Sequence, residues 1–276
     1  MKTIVYHHND ADGRASAAIV GNALWDEPVI FVECDYKDRF NFGTVEAGDR
    51  VVIVDFSFKP EDMAQIMART SNVIWCDHHK TAAAYGYAVP GVRDFSEKGA
   101  AGCEVTWQHF HPSEKCPYWI TLLGDYDAWR LKEAPECLQF YEGLKLCDQS
   151  PRTGIWRDLL NGSRSISEAL QAGRIAIVYR DMYCAEIRKS FGYETEIGGH
   201  RAYALNAFRF GSPGFGEAFA QYPVCIAYIH NGKCFTVSLY SETVDVGEIA
   251  KNHGGGGHKG AAGFVCEILP FVPTVT

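Results

Sequence analysis

The chain of 276 residues lacks any run of about 18 consecutive apolar residues, the length needed to cross a bilayer. It also lacks a secretory arrangement at its start, because Met1–Ile4 leads directly into an apolar, strand-like run. No two of its ten cysteines form a Cys-x-x-Cys pair, which argues against a zinc knuckle and a disulfide framework. We therefore expect a cytoplasmic protein with reduced thiols and no membrane contact.

Positive charge is also scarce, because 26 Lys and Arg residues stand against 34 Asp and Glu residues and the net charge is −8. This balance argues against a broad basic surface that would bind long nucleic acids. A small local basic site is compatible with it, and divalent cations held by a carboxylate cluster would neutralise part of the excess. The length is sufficient for two domains with substantial cores.

Apolar runs alternate with helical patterns over roughly the first 130 residues. The strand-like runs are Thr3–Tyr6, Val29–Cys34, Val51–Val54 and Val73–Cys76, and the helical segments are Ala15–Trp25, Pro60–Thr70 and Gly99–Phe110. Strands without polar alternation are typical of a parallel sheet that is covered on both faces. The βαβ order predicts an α/β domain with a doubly wound, mostly parallel sheet over residues 1–130.

The pattern changes twice in the rest of the chain. Residues 131–191 carry helical patterns over Glu136–Cys147 and Ser165–Lys189, and we expect them to form a helical connector. From residue 192 the runs Arg201–Asn206, Val224–His230, Cys234–Ser241 and Gly263–Ile268 favour strands, with a helix at Val246–Lys251. Asn231–Gly232 predicts a hairpin between two of these strands. Residues 192–276 are therefore expected to form a smaller α/β domain with a mixed sheet.

Histidine and aspartate side chains follow three strands of the predicted parallel sheet. His8, Asp10 and Asp12 follow the first run, Asp55 follows the third, and Asp77, His78 and His79 follow the fourth. Because parallel strands bring their carboxyl ends to one edge of a sheet, we expect these residues to converge. Imidazole and carboxylate are ligands that suit Mn, Fe, Zn or Mg. The alternatives are helix caps for the aspartates and an ordinary turn for the adjacent histidines.

A fourth acidic position follows the apolar run Trp119–Leu123. Asp125 and Asp127 are both candidates there, and either one is compatible with a turn or a cap. We favour Asp125 because of its place relative to the apolar run.

Four consecutive glycines, Gly254–Gly257, precede His258 and Lys259. Glycine costs backbone entropy, so a run of it favours close approach of the backbone to another group, such as phosphate oxygens that peptide N–H groups would meet. A flexible surface loop is the alternative. The return to a strand pattern at Gly263 favours a folded element.

Together these motifs resemble a known family. The segment His8-Asn9-Asp10-Ala11-Asp12-Gly13, then Asp55, then Asp77-His78-His79, then Asp125 is similar to the four motifs of the DHH phosphoesterase family. The stretch Gly254–Gly263, with Ser238-Leu239-Tyr240-Ser241 upstream, resembles the DHH-associated substrate-binding domain of its nanoRNase and oligonucleotide-phosphodiesterase members. The resemblance covers both ends of the chain, with the motifs in order.

The resemblance implies two divalent ions, usually Mn²⁺, with Mg²⁺ and Co²⁺ as alternatives. His8 and Asp10 would hold one ion, and Asp12, His78 and Asp125 would hold the other. Asp55 would bridge both ions.

The resemblance also implies which residues meet the substrate. His79 would face the substrate phosphate, and Asp77 would orient its neighbours. The remote part of the substrate would be bound by the residues Ser241, Gly255, Gly256, Gly257 and His258. Tyr240 stands where family members commonly carry a phosphate-binding arginine. An aromatic ring at that position favours stacking on a base.

These features predict hydrolysis of a phosphodiester in short oligonucleotides or dinucleotides, which yields nucleoside monophosphates. The expected partner is a short nucleic acid or a dinucleotide, and a homodimer is compatible with the sequence. One alternative is a phosphodiesterase for cyclic dinucleotides or related signalling nucleotides. The other is a nucleotide sensor that binds without hydrolysis.

Overall fold

The computed structural model describes residues 1–131, 135–152, 154–162, 166–207 and 209–274. These residues divide into two compact units, Met1–Ala176 and Ile177–Thr276. Each unit has its own sheet and its own hydrophobic core. Ser165, the predicted first residue of the second connector helix, lies outside the described residues.

The first unit is built on a four-stranded parallel sheet. Its strands are β1 (Thr3–His8), β2 (Val29–Cys34), β3 (Arg50–Val54) and β4 (Val73–Cys76), in the spatial order β2–β1–β3–β4. The register places His7 opposite Val54 and Val54 opposite Cys76, so the carboxyl ends of β1, β3 and β4 are neighbours. The predicted α/β class is confirmed.

Helices cover both faces of this sheet. They are α1 (Ala11–Ala23), α2 (Pro60–Met67), α3 (Gly102–Phe110), α4 (Tyr118–Asp127), α5 (Glu136–Leu144), α6 (Gly154–Leu160) and the start of α7 (Ile166–Phe191). On one face, Val52 of β3 packs in a cluster with Val20 of α1 and Val105 of α3. On the other face, Ile53 packs in a cluster with Met63 and Ile66 of α2. Burial on both faces explains why the central strands β1 and β3 are mostly apolar.

The helices predicted as a connector contribute to the core of the first unit as far as residue 176. Phe140 of α5 and Trp156 of α6 are buried in the same cluster as Ala15 of α1. The apolar run Trp119–Leu123 lies inside α4. A helical pattern alone does not show which neighbour receives its apolar face.

The second unit is built on a mixed six-stranded sheet. Its strands are β5 (Tyr193–Ile197), β6 (His200–Asn206), β7 (Val224–His230), β8 (Phe235–Tyr240), β9 (Gly256–His258) and β10 (Ala261–Cys266), in the order β5–β6–β7–β8–β10–β9. Only the β6–β7 pair is parallel among the described strands of this sheet. Its helices are the rest of α7, α8 (Ala218–Gln221) and α9 (Val246–Asn252). The predicted mixed sheet and the β7–β8 hairpin are confirmed.

All ten cysteines are free, and Cys34, Cys76, Cys103, Cys137, Cys184 and Cys225 are buried. Within the described ranges, no helix combines the length and the apolarity needed to cross a membrane.

Candidate metal centre

Imidazole and carboxylate groups converge at the carboxyl edge of the parallel sheet. Three groups have ligand atoms within 4.8 Å of one another: His8, Asp10 and Asp55; Asp12, His78 and Asp127; and Asp55, His78 and His79. The first and third groups share Asp55, and the second and third share His78. The arrangement is therefore one continuous cluster.

Asp55 lies at the centre of this cluster and is only 1% exposed. Its Oδ1 lies 3.1 Å from His78 Nε2, and its Oδ2 lies 3.9 Å from His8 Nδ1. Neither oxygen accepts a hydrogen bond from any residue that the structure describes. A buried carboxylate without hydrogen bonds is costly unless a cation compensates it. Ligand atoms about 2.1 Å from a shared ion and at right angles lie about 3 Å apart, so the 3.1 Å spacing of Asp55 Oδ1 and His78 Nε2 fits coordination.

The backbone holds Asp55 in an unusual conformation. Its φ angle is +51°, which is uncommon for a residue other than glycine, and its N–H donates to the carbonyl of Cys76. A Cβ atom at Gly102 would lie 2.5 Å from Asp55 Oδ1. Glycine at position 102 therefore lets the start of α3 approach this carboxylate closely.

The cluster concentrates negative charge. Burial raises the pKa of Asp55 well above its usual value, and the carboxylates of Asp12 and Asp10 raise it further. Burial and the same two carboxylates also raise the pKa of Asp127. Divalent cations would remove this repulsion, so the charge of the donor set fits metal binding.

Asp10 serves both as a helix cap and as a member of the cluster. Its Oδ1 accepts a hydrogen bond of 2.9 Å from the N–H of Gly13, and its Oδ2 lies 2.8 Å from His8 Nδ1. Burial disfavours the charged form of both residues, but their mutual contact outweighs it. The contact between Asp10 and His8 lowers the pKa of Asp10 to about 2 and raises the pKa of His8. Asp10 is therefore a helix cap that also belongs to the cluster.

In the second group, which contains Asp12, His78 and Asp127, the carboxylate of Asp12 is held by the first residues of α3. Asp12 accepts hydrogen bonds from the N–H groups of Gly102 (2.7 Å) and Cys103 (2.8 Å), which orient its buried carboxylate. His78 Nε2 lies 3.7 Å from Asp12 Oδ2 and 3.3 Å from Asp127 Oδ2. Asp127 thus occupies the fourth acidic position.

Asp125, which the sequence favoured for that position, does not join the cluster. Its Oδ1 lies 2.6 Å from Arg130 Nε, and Arg130 also contacts Glu104 at 2.7 Å. The segment is a helix, in which two positions are separated by about 200°, so Asp125 and Asp127 point in opposite directions. The Asp125 assignment is corrected to Asp127 for this reason.

Asp77 and His79 form a separate pair within the centre. The fully buried Asp77 accepts hydrogen bonds from the N–H of His78 (2.8 Å) and from the hydroxyl of Ser57, and it lies 2.8 Å from His79 Nδ1. Burial alone would lower the pKa of His79, but contact with Asp77 raises it. Sequence reasoning missed Ser57, although it follows Asp55 by two positions.

The substrate-binding candidates of the glycine stretch lie in the second unit. Gly256 and Gly257 belong to β9 together with His258, and they pair with β10. A Cβ atom at Gly255 would lie 2.6 Å from Phe264 Cβ, and Gly257 has a φ angle of +145°. The close contact at Gly255 and the positive φ angle at Gly257 therefore favour glycine at these positions. The stretch is a folded element.

Ser241 and Tyr240 end β8 in different surroundings. The Ser241 hydroxyl donates to the carbonyl of Pro223 (2.6 Å) and accepts from the N–H of Val244 (2.8 Å), so it holds a turn. Tyr240 lines a cavity of about 220 Å³ together with Arg209 and Ser238.

Comparisons with known proteins give one family match and several similar folds. Residues 2–125 match the family described as "DHH family, N-terminal domain". The pGpG-specific phosphodiesterase PggH from Vibrio cholerae has a similar fold, with a TM-score of 0.61 and 15% identity over 97% of this chain and 94% of that chain. The DHH domain of a member of the s1p family of ribosomal proteins gives a TM-score of 0.58 and 14% identity, over 96% of this chain and 82% of that chain.

One curated relative matches nearly the whole chain. It is the uncharacterized protein R106 of Acanthamoeba polyphaga mimivirus, with 24% identity over 287 residues. The match covers 95% of this chain and 67% of the viral protein. The likeness to solved structures at such low identity shows a shared fold.

Proposed function

Because residues 2–125 match the DHH family N-terminal domain, we propose that the protein is a two-metal phosphodiesterase that hydrolyses short oligonucleotides or dinucleotides to nucleoside monophosphates. One observation carries the proposal. Asp55 is a buried carboxylate without a hydrogen bond in the described residues, and its two oxygens face His8 and His78. Bound divalent ions would stabilise charge on phosphoryl oxygens and activate a water nucleophile.

The proposed ligand sets follow the groups of the cluster. His8 and Asp10 hold one ion, and Asp12, His78 and Asp127 hold the other. Asp55 bridges them, because it is the carboxylate that faces both histidines. Mixed imidazole and carboxylate ligands support Mn²⁺, with Mg²⁺ and Co²⁺ as alternatives.

His79 contacts the substrate phosphate in this proposal, and Asp77 positions it. Asp77 engages Nδ1 of His79, so Nε2 is the nitrogen available to the substrate. The raised pKa of His79 favours the protonated ring, which attracts a phosphate. Asp77 also accepts hydrogen bonds from Ser57 and the His78 backbone, which restrict its own movement.

The glycine stretch and His258 bind the remote phosphate or sugar of the substrate. Hydrogen bonds from the N–H of Ser241 to the carbonyl of Gly260 and from the N–H of Val246 to the carbonyl of Lys259 join this stretch to the turn after β8. The Ser241 hydroxyl shapes that turn. PggH is specific for pGpG, which supports a dinucleotide as the substrate class here.

The test is hydrolysis by the purified protein with Mn²⁺ of a dinucleotide, a short RNA, a short DNA, a cyclic dinucleotide and pyrophosphate. Release of mononucleotides from the linear substrates, measured by anion-exchange chromatography, is the expected result. Cleavage of the cyclic compound alone would replace the proposal with the signalling-nucleotide phosphodiesterase. Metal binding without turnover of any of the five would favour the sensor. The matched control is Asp55→Ala, which should abolish turnover.

We also propose that a second copy of the chain docks on α7. Ile175, Val178, Tyr179, Met182 and Tyr183 recur at helical spacing on one face and are 47–64% exposed. This exposed apolar face supports a homodimer.

Sedimentation velocity tests the dimer. We expect Met182→Arg to convert it to a monomer, whereas Met67→Arg, a change at a methionine of α2 that is also exposed, should leave the dimer intact. A monomeric wild-type protein would overturn this assignment. The cytoplasm is the proposed compartment, because all ten cysteines are free thiols.

A further inference from the structure

Tyr36 lies two residues beyond the end of β2 and borders the metal centre. The centroid of its ring is 5.7 Å from that of His8 and 5.8 Å from that of His79. The side chain is nevertheless 46% exposed. An aromatic residue that is partly open to solvent thus lies next to the two histidines that the proposed reaction uses.

The ring is held in place from behind. It stacks on the buried Phe56 with a centroid distance of 4.5 Å and an interplanar angle of 22°. Phe56 packs in turn against Phe58 at 5.2 Å and Phe40 at 5.9 Å. This aromatic support gives Tyr36 a defined orientation, unlike an isolated exposed tyrosine.

The backbone around Tyr36 is braced as well. Asp35 Oδ1 accepts a hydrogen bond of 3.0 Å from the N–H of Lys37, and Asp38 Oδ2 accepts one of 2.7 Å from the N–H of Asp35. Asn9, which follows β1, donates to Asp35 Oδ2 at 3.2 Å. The turn that carries Tyr36 is therefore tied to the segment that carries His8 and Asp10. Such preorganisation lowers the entropy cost of binding.

We propose that Tyr36 is a stacking platform for the nucleobase of the nucleotide whose phosphate binds at the metal centre. This inference rests on the proposed function, which places that phosphate beside His79. A base is joined to its phosphate through a single ribose, and the exposed ring lies beside the same two histidines. Stacking tolerates any base, because every base has a π face. Tyr36 then selects nucleotides over phosphate esters that carry no base.

The test compares two ligands that are not hydrolysed, GMP and ribose 5-phosphate, by isothermal titration with Mn²⁺ present. Stacking on an aromatic side chain is worth about 1–3 kcal/mol per base, which corresponds to about 5- to 140-fold in affinity. We expect Tyr36→Leu to weaken GMP binding by a factor in this range and to leave ribose 5-phosphate binding unchanged. Tyr36→Phe keeps the ring and should bind GMP within about twofold of wild type, below the lower end of that stacking range.

Tyr118→Leu is the matched control. Tyr118 is also 46% exposed, but it lies at the start of α4, nine residues and about 13.5 Å along the helix from Asp127. Its replacement should not change GMP binding.

Two results would overturn the stacking role. One is unchanged GMP binding in Tyr36→Leu. The other is an equal loss for GMP and ribose 5-phosphate, which would mean that Tyr36 acts by positioning His8 and His79. Turnover of a dinucleotide by the wild-type protein is measured separately. Absence of turnover would refute the proposed function, while the GMP comparison would still decide the role of Tyr36.

Discussion

Replacement of Asp55 by asparagine should stabilise the metal-free protein and remove most of its stabilisation by metal. The pKa of Asp55 is raised in the folded state by burial and by neighbouring carboxylates. A carboxyl group with a raised pKa binds more protons when folded, so the metal-free protein loses stability as the pH rises above the unfolded pKa. Asparagine has nearly the same shape and no charge. At pH 7 the metal-free variant should therefore melt at a higher temperature than the metal-free wild type.

The size of the metal effect follows from linkage. An ion present at 100 times its dissociation constant stabilises the folded state by about 2.7 kcal/mol. For a unit of the size of Met1–Ala176, this corresponds to a rise in melting temperature of about 5–11 °C for each ion. Because Asp55 faces both histidine groups, Asp55→Asn should lose most of the rise due to both ions.

The assay is thermal unfolding by circular dichroism at pH 7, with EDTA and with excess Mn²⁺. Asp125→Asn is the control, because Asp125 pairs with Arg130 at 2.6 Å outside the cluster. It should lower the melting temperature but keep the rise with Mn²⁺. If Asp55→Asn kept the full rise, or if the metal-free variant melted below wild type, the reasoning about a buried bridging carboxylate would be wrong.

Three further predictions concern the same centre. Asp127→Asn should weaken Mn²⁺ binding by at least about tenfold, as is usual when a ligand or its support is lost. Equal Mn²⁺ affinity for Asp127→Asn and Asp125→Asn in calorimetry would contradict the assignment of Asp127 as the ligand. Gly102→Ala should reduce turnover by at least about tenfold while the protein remains folded, because the added Cβ would lie 2.5 Å from Asp55 Oδ1. Steady-state kinetics would measure the loss of turnover, with circular dichroism as the folding control. Mn²⁺ affinity should fall as the pH drops from 8 to 6, because Asp10 raises the pKa of His8 despite burial and the protonated ring cannot bind metal. A Mn²⁺ affinity that is independent of pH in this range would exclude His8 as a ligand.

Local pattern determined much of the first unit. The runs Val29–Cys34 and Val73–Cys76 were predicted to the residue, because each mostly apolar run is preceded by a turn-forming residue, Pro28 or Asn72, and is followed by an aspartate. The parallel arrangement followed from the alternation of strands and helices. That arrangement alone required the residues after β1, β3 and β4 to meet at one edge. The motifs and their order resemble the family that residues 2–125 match.

Tertiary structure decided which aspartate of α4 joins the cluster. Asp125 and Asp127 are equivalent in composition and two positions apart, and only the rotation of the helix directs one to His78 and the other to Arg130. It likewise decided that α5 and α6 contribute to the first unit, since an apolar helix face does not specify its neighbour. The open oxygens of Asp55 and the ring of Tyr36 beside His8 depend on contacts between segments distant in the chain. The sequence by itself determined which chemical groups gather at the sheet edge, and the packing of helices and loops around that edge determined which of them face one another.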